Sequence, residues 1–253
     1  MKREREEVRA NFLNIKGIKF TQINNCFNIA VDSILLSYFA TINMKIKKVI
    51  ELGCGTGIVS MLIASRSKCE VTGIELQKIT ADIAKKNIDE SGLNNRIKII
   101  NNDIKNLKTI FEQQSFDMVL SNPPFFKNDG NKKQINKLEE LKVARHEIEI
   151  TLEQIVVQGS YLLKNGGHFV MVHRSERTAE IMAVFQKYRI EPKRVCFCYT
   201  KENSDAKIVL IEGVKNVKPG IKIMQPVYIN NRDGSYTEFY MRLLNGENSF
   251  DKL

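Results

Sequence analysis

The chain has 253 residues, 43% hydrophobic and 27% charged, enough apolar material for a substantial core, which excludes intrinsic disorder as the dominant state. Its formal charge of +10 points to a polyanionic partner, since clustered Lys and Arg attract phosphate backbones, although richness in Lys, Asn and Ile also fits AT-rich coding. No apolar run reaches the ~18 residues of a bilayer span, the charged N-terminus lacks a signal-peptide core, and the five cysteines include no Cys-x-x-Cys pair, so the reading is a cytoplasmic protein with no membrane anchor, disulfide framework or metal site.

Residues 1–47 read as a small N-terminal cap. Ile18 to Phe20 and Phe27 to Ile29 flank Asn24-Asn25 like a hairpin, and Asp32 to Ala40 like an amphipathic helix. From residue 48 to 253 the pattern becomes a short apolar run, a turn and a helical stretch, repeated, as in a parallel sheet with crossover helices. Strands are predicted at Val49 to Leu52, Glu70 to Glu75, Ile97 to Ile100, Phe116 to Leu120 and His168 to Val172. Helical stretches run from Ile58 to Ser65, up to Glu90, near Leu152 to Leu163 and near Arg177 to Tyr188. Val195 to Thr200 and Lys207 to Ile211 complete an α/β fold as a C-terminal antiparallel hairpin on a mostly parallel, seven-stranded sheet.

Glu51-Leu-Gly-Cys-Gly-Thr-Gly57 joins an apolar strand to a helix, where glycines let the backbone approach a ligand closely. Its Gly-x-Gly-x-Gly spacing departs from the Gly-x-Gly-x-x-Gly dinucleotide fingerprint, which argues against a nicotinamide cofactor. Glu75 ends the next strand and Asp103 follows the third. Either acid alone also fits a solvated strand end; the glycine loop before both favours a ligand site. The loop and its two acids resemble the class I S-adenosylmethionine-dependent methyltransferases, with their Rossmann-like fold. The resemblance implies that Gly53, Cys54, Gly55, Thr56 and Gly57, with Glu51, pass beneath the amino acid end of S-adenosylmethionine. It further implies that Glu75 accepts from the ribose hydroxyls, that Asp103 and Ile104 lie where the adenine contact should be, and that Leu76 and Asn122 also border the cofactor.

Asn122-Pro123-Pro124-Phe125 places two of only five prolines consecutively at the end of a strand. A rigid turn is the bland alternative. The tetrapeptide resembles the Asn-Pro-Pro-aromatic motif of enzymes that methylate planar exocyclic or amide nitrogens. Such a nitrogen has its lone pair delocalised, so methylation calls for acceptors that hold its N–H groups and favour a more tetrahedral geometry. The Asn122 side-chain oxygen and the Pro123 carbonyl suit that role, and Phe125 offers a stacking face for an extruded base. No general base is required; alignment of nitrogen, methyl and sulfur is the main contribution.

Phe20-Thr-Gln, Val31-Asp-Ser-Ile-Leu-Leu-Ser-Tyr-Phe39, Ala144-Arg-His-Glu147, Met171-Val-His-Arg-Ser-Glu-Arg177 and Tyr236-Thr-Glu238, taken with the motif, resemble the bacterial tRNA adenine-N6 methyltransferases acting on valine tRNA. That likeness implies a target adenine at position 37, beside the anticodon, held by Asn122 to Phe125, with Asp32 and its neighbours against the cofactor's amino acid end. Ser175 departs from the proline that relatives tend to carry after His-Arg, which affects loop stiffness alone. RNA contacts are assigned to Phe126, Lys127, Lys132, Lys133, Arg145, His146, His173, Arg174 and Arg177, at the edge where ligands of open parallel sheets bind. A solvated charge run and a buried Phe126 are the competing readings. Lys187 to Lys222 form a second basic region suited to the body of a folded RNA.

Three alternatives remain. A release-factor-type glutamine methyltransferase usually carries a helical domain before its cofactor loop, and a ribosomal RNA guanine-N2 enzyme often a duplicated catalytic domain. A non-catalytic RNA-binding module on the same fold would be expected to have lost the loop, the acids or the Asn-Pro-Pro-Phe motif. A monomer is favoured over a dimer.

Overall fold

The structure is a computed structural model describing residues 7–9, 13–23, 31–123 and 150–252. At the N-terminal side, β1 (Glu7–Arg9) pairs antiparallel with β2 (Thr21–Ile23). This corrects the predicted hairpin: the strand starts after Phe20 and pairs with an earlier segment, while Phe27 to Ile29 lie outside the described residues. Helix α1 (Val31–Phe39) follows, as its amphipathic pattern predicts.

The main unit alternates as expected: β3 (Lys48–Leu52), α2 (Ile58–Ser65), β4 (Glu70–Glu75), α3 (Lys78–Glu90), β5 (Ile97–Asn101), a 3-10 helix at Ile104–Thr109 and β6 (Phe116–Ser121). After the undescribed stretch come α4 (Leu152–Leu162), β7 (Leu163–Arg174), α5 (Thr178–Lys187), β8 (Ile190–Tyr199) and β9 (Ala206–Lys215). The chain then forms β10 (Lys222–Ile223), β11 (Val227–Tyr228) and α6 (Glu238–Leu244). In the sheet the order is β10-β8-β9-β7-β6-β3-β4-β5, with β11 also on β8. Strands β3 to β7 run parallel, and β9 lies antiparallel between β7 and β8.

The sheet thus has nine strands where seven are predicted. The additional two, β10 and β11, have two residues each, too short to show an alternating pattern. The predicted turn at Gly166-Gly167 lies inside β7, where pairing jumps from Phe116–Leu163 to Met118–His168. Gly166 takes φ +76° there, so the extra residues are absorbed without ending the strand.

Alternation along each strand divides the core. Val49, Met118, Leu120, Val170 and Val172 face α1, α2, α3 and α6, while Ile50, Leu52, Val119, Phe169 and Met171 face α4 and α5. By the same alternation Glu51 points with Val49 toward α2. Strand β3 sits where the order reverses, with β4 on one side and β6 on the other. A crevice opens outside the carboxyl ends of strands at such a switch point. The glycine loop, Glu75, Asn122 and Arg174 all lie at this edge.

Candidate active site

Strand β3 ends in a loop whose three glycines have positive φ: Gly53 +80°, Gly55 +54° and Gly57 +91°. A side chain at Gly57 would also press on Ala84 of α3 at 3.3 Å. Gly53 and Gly55 differ, because a Cβ on either meets nothing within 4 Å. These two glycines therefore line open space that a ligand can occupy at backbone distance.

The loop spends its N–H groups inside the protein. Gly53 and Cys54 both donate to the Ile74 carbonyl at 2.9 Å, and Gly57 donates to the Cys54 carbonyl at 2.9 Å. Gly55 donates to Glu75 Oε2 at 2.9 Å. Phosphate-binding loops keep such groups free for an anion. This one offers close packing, which suits an amino acid or nucleoside moiety better than a pyrophosphate and agrees with the spacing argument against a dinucleotide.

Glu75 is held on both oxygens, since Oε1 accepts from the Gln77 N–H at 2.9 Å. Burial raises its pKa, against the pull of these backbone donors. Asn101 of β5 secures the corner, its side-chain amide donating to the Glu75 and Leu76 carbonyls at 2.8 Å each. Leu76 beside it is exposed, an apolar surface at the rim. After β5, Asp103 caps the 3-10 helix, Oδ1 accepting from the Lys105 N–H at 2.8 Å, with Ile104 half-buried next to it. The glycine loop, Glu75, Leu76, Asp103 and Ile104 thus follow the adjacent carboxyl ends of β3, β4 and β5, and the open cradle with its carboxylates fits the expected cofactor.

Three residues assigned to the cofactor have their side chains turned into the protein. Glu51 is 1% exposed, and its Oε2 accepts from Ser60 N–H at 2.9 Å and Ser60 Oγ at 2.5 Å, holding the first turn of α2. Burial lifts its pKa to about 8, opposed by the Ser60 hydrogen bonds. The Cys54 side chain turns inward over Gly73, where an added Cβ would come within 2.8 Å of its sulfur. Burial raises its thiol pKa well above the usual value, so it is inert packing. Thr56 is buried as well, its carbonyl accepting from Asn87.

Asn122 follows β6, whose last residue is pinned to β3 by Ser121 Oγ donating to the Leu52 carbonyl at 3.2 Å. Pro123 is buried. Asn122 Nδ2 donates to Ser33 Oγ of α1 at 3.0 Å. Asp32, one residue earlier, has its pKa raised by burial, partly offset by Arg174. Pro124, Phe125, Phe126, Lys127, Lys132, Lys133, Arg145 and His146 lie outside the described residues.

The RNA-contact assignments at the end of β7 divide. Arg174 is exposed beside Asp32. His173, by contrast, is 1% exposed, its Nδ1 accepting from the Arg174 N–H at 2.8 Å. Burial, aided by the Arg177 charge, lowers its pKa to about 4. It is a neutral core residue, which corrects its assignment to RNA. Arg177 is engaged as well, gripping Glu180 at 2.7 and 2.5 Å and reaching His173 Nε2 at 3.1 Å.

The tether between Ser33 and Asn122, and the role of Asn87, escaped the sequence reading. Asn87 of α3 is fully buried and bonds to the Thr21 N–H, the Thr21 carbonyl and the Thr56 carbonyl at 2.8, 2.9 and 3.0 Å. It ties β2 to the glycine loop. Its signal was a polar residue on the buried face of a helix, among Ile83, Ala84 and Ile88. Ser33 gave no such signal, because its partner lies 89 residues away.

A family model described as a methyltransferase domain matches residues 43–214. A "tRNA1(Val) (adenine(37)-N6)-methyltransferase" of Haemophilus influenzae (strain ATCC 51907) is 27% identical over 230 residues, 87% of this chain and 91% of the relative. A protein of the same name from Porphyromonas gingivalis (strain ATCC 33277) is 30% identical over 166 residues, 64% of each chain. Among solved structures, a predicted O-methyltransferase of Agrobacterium tumefaciens superposes with a TM-score of 0.68 at 20% identity, covering 85% of this chain and 96% of that one. At this identity the superposition speaks for the fold alone.

Proposed function

The chain belongs to the methyltransferase-domain family, and we propose that it methylates the N6 amine of an adenine in tRNA, position 37 of a valine tRNA, using S-adenosylmethionine. The observation that carries the chemistry is the Asn122 amide at the carboxyl end of β6, tethered by its nitrogen to Ser33 at the switch point beside the glycine loop. Relatives named for adenine-37 methylation, aligned over most of both chains, support the substrate. A tRNA substrate places the work in the cytoplasm; among the described residues no helix is long and apolar enough to cross a membrane.

Bound S-adenosylmethionine would supply a methyl group activated by a sulfonium. Glu75 would hold its ribose hydroxyls, Leu76, Asp103 and Ile104 its adenine, and the cradle at Gly53 and Gly55, with Asp32, its amino acid end. Glu75 is suited to this because the Gly55 and Gln77 N–H groups fix its carboxylate before any ligand arrives. Asn122 Oδ1 accepts one N–H of the target amine, and the Pro123 carbonyl accepts the other. Both acceptors favour a nitrogen whose lone pair is drawn out of conjugation. Phe125, which lies outside the described residues, is assigned by its motif to stacking on the extruded base, and exposed Arg174 is suited to nearby phosphate. The chain's contribution is positional, so neutral, buried His173 is not needed as a base.

Tritium transfer from labelled S-adenosylmethionine to total tRNA, with ribosomal RNA and a release factor in parallel, tests this reading. N6-methyladenosine in tRNA is the expected product. Labelled glutamine or methylguanosine would replace the substrate, and no transfer at all would leave a non-catalytic RNA-binding module.

A further inference from the structure

Backbone and side chain of Asn122 are held by different devices. Ser121 anchors the chain before it to β3, and Pro123 is buried after it, so the main chain is fixed on both sides. What remains free in such a residue is rotation about its two side-chain torsions, and an amide turned about the second presents a donor where it had presented an acceptor. For an amine that must give up N–H groups, only the oxygen is useful. Among the described residues, the Asn122 side chain has its hydrogen bond at the nitrogen end, from Nδ2 to Ser33 Oγ at 3.0 Å.

We propose that Ser33 is a positioning residue for methyl transfer: by accepting from Asn122 Nδ2 it holds the amide with its oxygen toward the target amine. The inference rests on the methyl-transfer reading of the site. Ser33 lies in the first turn of α1 and is 8% exposed, so its hydroxyl is shielded from most competing water. Helix α1 is itself fixed. Ile34, Leu35, Leu36 and Phe39 are at most 1% exposed, and Arg66 Nη2 donates to the Ser37 and Ala40 carbonyls at 2.6 and 2.7 Å. The hydroxyl is therefore presented from a rigid support, while the amide it restrains sits on a strand end. Neither Ser33 nor α1 need touch the reacting atoms. A group oriented in advance removes a rotational search from the reaction step, and its loss appears in turnover.

The test is a double-mutant cycle on the full chain. Ser33→Ala is expected to lower kcat about tenfold while the KM for tRNA and the Kd for S-adenosylmethionine stay within about twofold. Ser33→Thr, which keeps the hydroxyl, is expected to recover most of the turnover. In an Asn122→Ala background, Ser33→Ala should cost nothing further, since there is no amide left to orient. An equal loss in both backgrounds, or no recovery by Thr, would overturn the proposal, as would full activity of Ser33→Ala in an active enzyme. If the wild type labels a glutamine amide or a guanine amine instead, the substrate reading falls while the cycle proceeds on that acceptor. Transfer to none of them would overturn both.

Discussion

The Gly55 N–H donates to Glu75 Oε2 at 2.9 Å, so the loop after β3 and the acid ending β4 form one unit. Removing the carboxylate therefore does two things: it deletes the proposed ribose acceptor and releases the loop. Hydrogen bonds to charged groups are worth about 1.5–3 kcal/mol each. Glu75→Ala is expected to weaken S-adenosylmethionine binding by more than about tenfold, with Glu75→Gln intermediate because one neutral oxygen still accepts. Calorimetric titration measures this directly, and an unchanged Kd would remove Glu75 from the cofactor site.

Glu51 predicts a pH effect on stability that is separate from activity. Burial raises its pKa from 4.5 to about 8. Below the lower value both folded and unfolded chains hold the proton; between the two, the folded chain alone keeps it. Stability contributed by this group is thus complete at acid pH and is lost as pH rises through about 8, on the order of a few kcal/mol. Glu51→Gln retains an acceptor for Ser60 and cannot ionise. Its melting temperature relative to wild type should climb across that window, whereas a constant offset would show that Glu51 does not titrate there. Buried His173 titrates in both proteins and cancels from the difference.

Among the described residues from 48 to 215, the order of strands and helices was legible because most elements are long enough to show their own period and end in glycine, proline or a charged turn. The places of Glu75 at the end of β4 and of Asp103 just after β5 were legible for the same reason. Chain order could not show which loop residues face inward. Glu51, Cys54 and Thr56 share the motif with Gly53 and Gly55, yet strand alternation and the missing side chain of Gly73 turn them into the protein. His173 was misread because it sits between the exposed Arg174 and buried Val172, one step of alternation from the surface. Ser33 and Asn87 act through partners distant in sequence, and pairings of that kind appear only when the chain is folded.

Asn87 carries three buried hydrogen bonds at the point where β2 meets the glycine loop. Asn87→Ala would leave the Thr21 N–H and the Thr21 and Thr56 carbonyls without their partner, a cost on the order of 2–4 kcal/mol. Asn87→Asp should be no better, since it sets a carboxylate against two carbonyls. Chemical denaturation reads the loss as a lower midpoint at constant slope. A parallel decline in cofactor affinity is expected, because Thr56 belongs to the loop; stability loss with unaltered affinity would mean that the loop holds its shape through Glu75 alone.

Asn122 separates binding from chemistry. Its side chain is tethered to Ser33 and takes no part in the hydrogen bonds that shape the glycine loop or fix Glu75. Asn122→Ala should leave S-adenosylmethionine affinity nearly intact while lowering methyl transfer at least about a hundredfold, the scale of losing one preorganised polar contact in the transition state. Asn122→Asp is the sharper comparison. It keeps an acceptor oxygen but exchanges the Nδ2 donor for a second acceptor, so Ser33 must turn its proton toward the carboxylate. If acceptance by the oxygen is what matters, the Asp variant retains more activity than Ala. Equal loss in both would mean that the neutral amide and its tether are required together, and a fall in cofactor affinity matching the fall in transfer would assign Asn122 to the fold of the site.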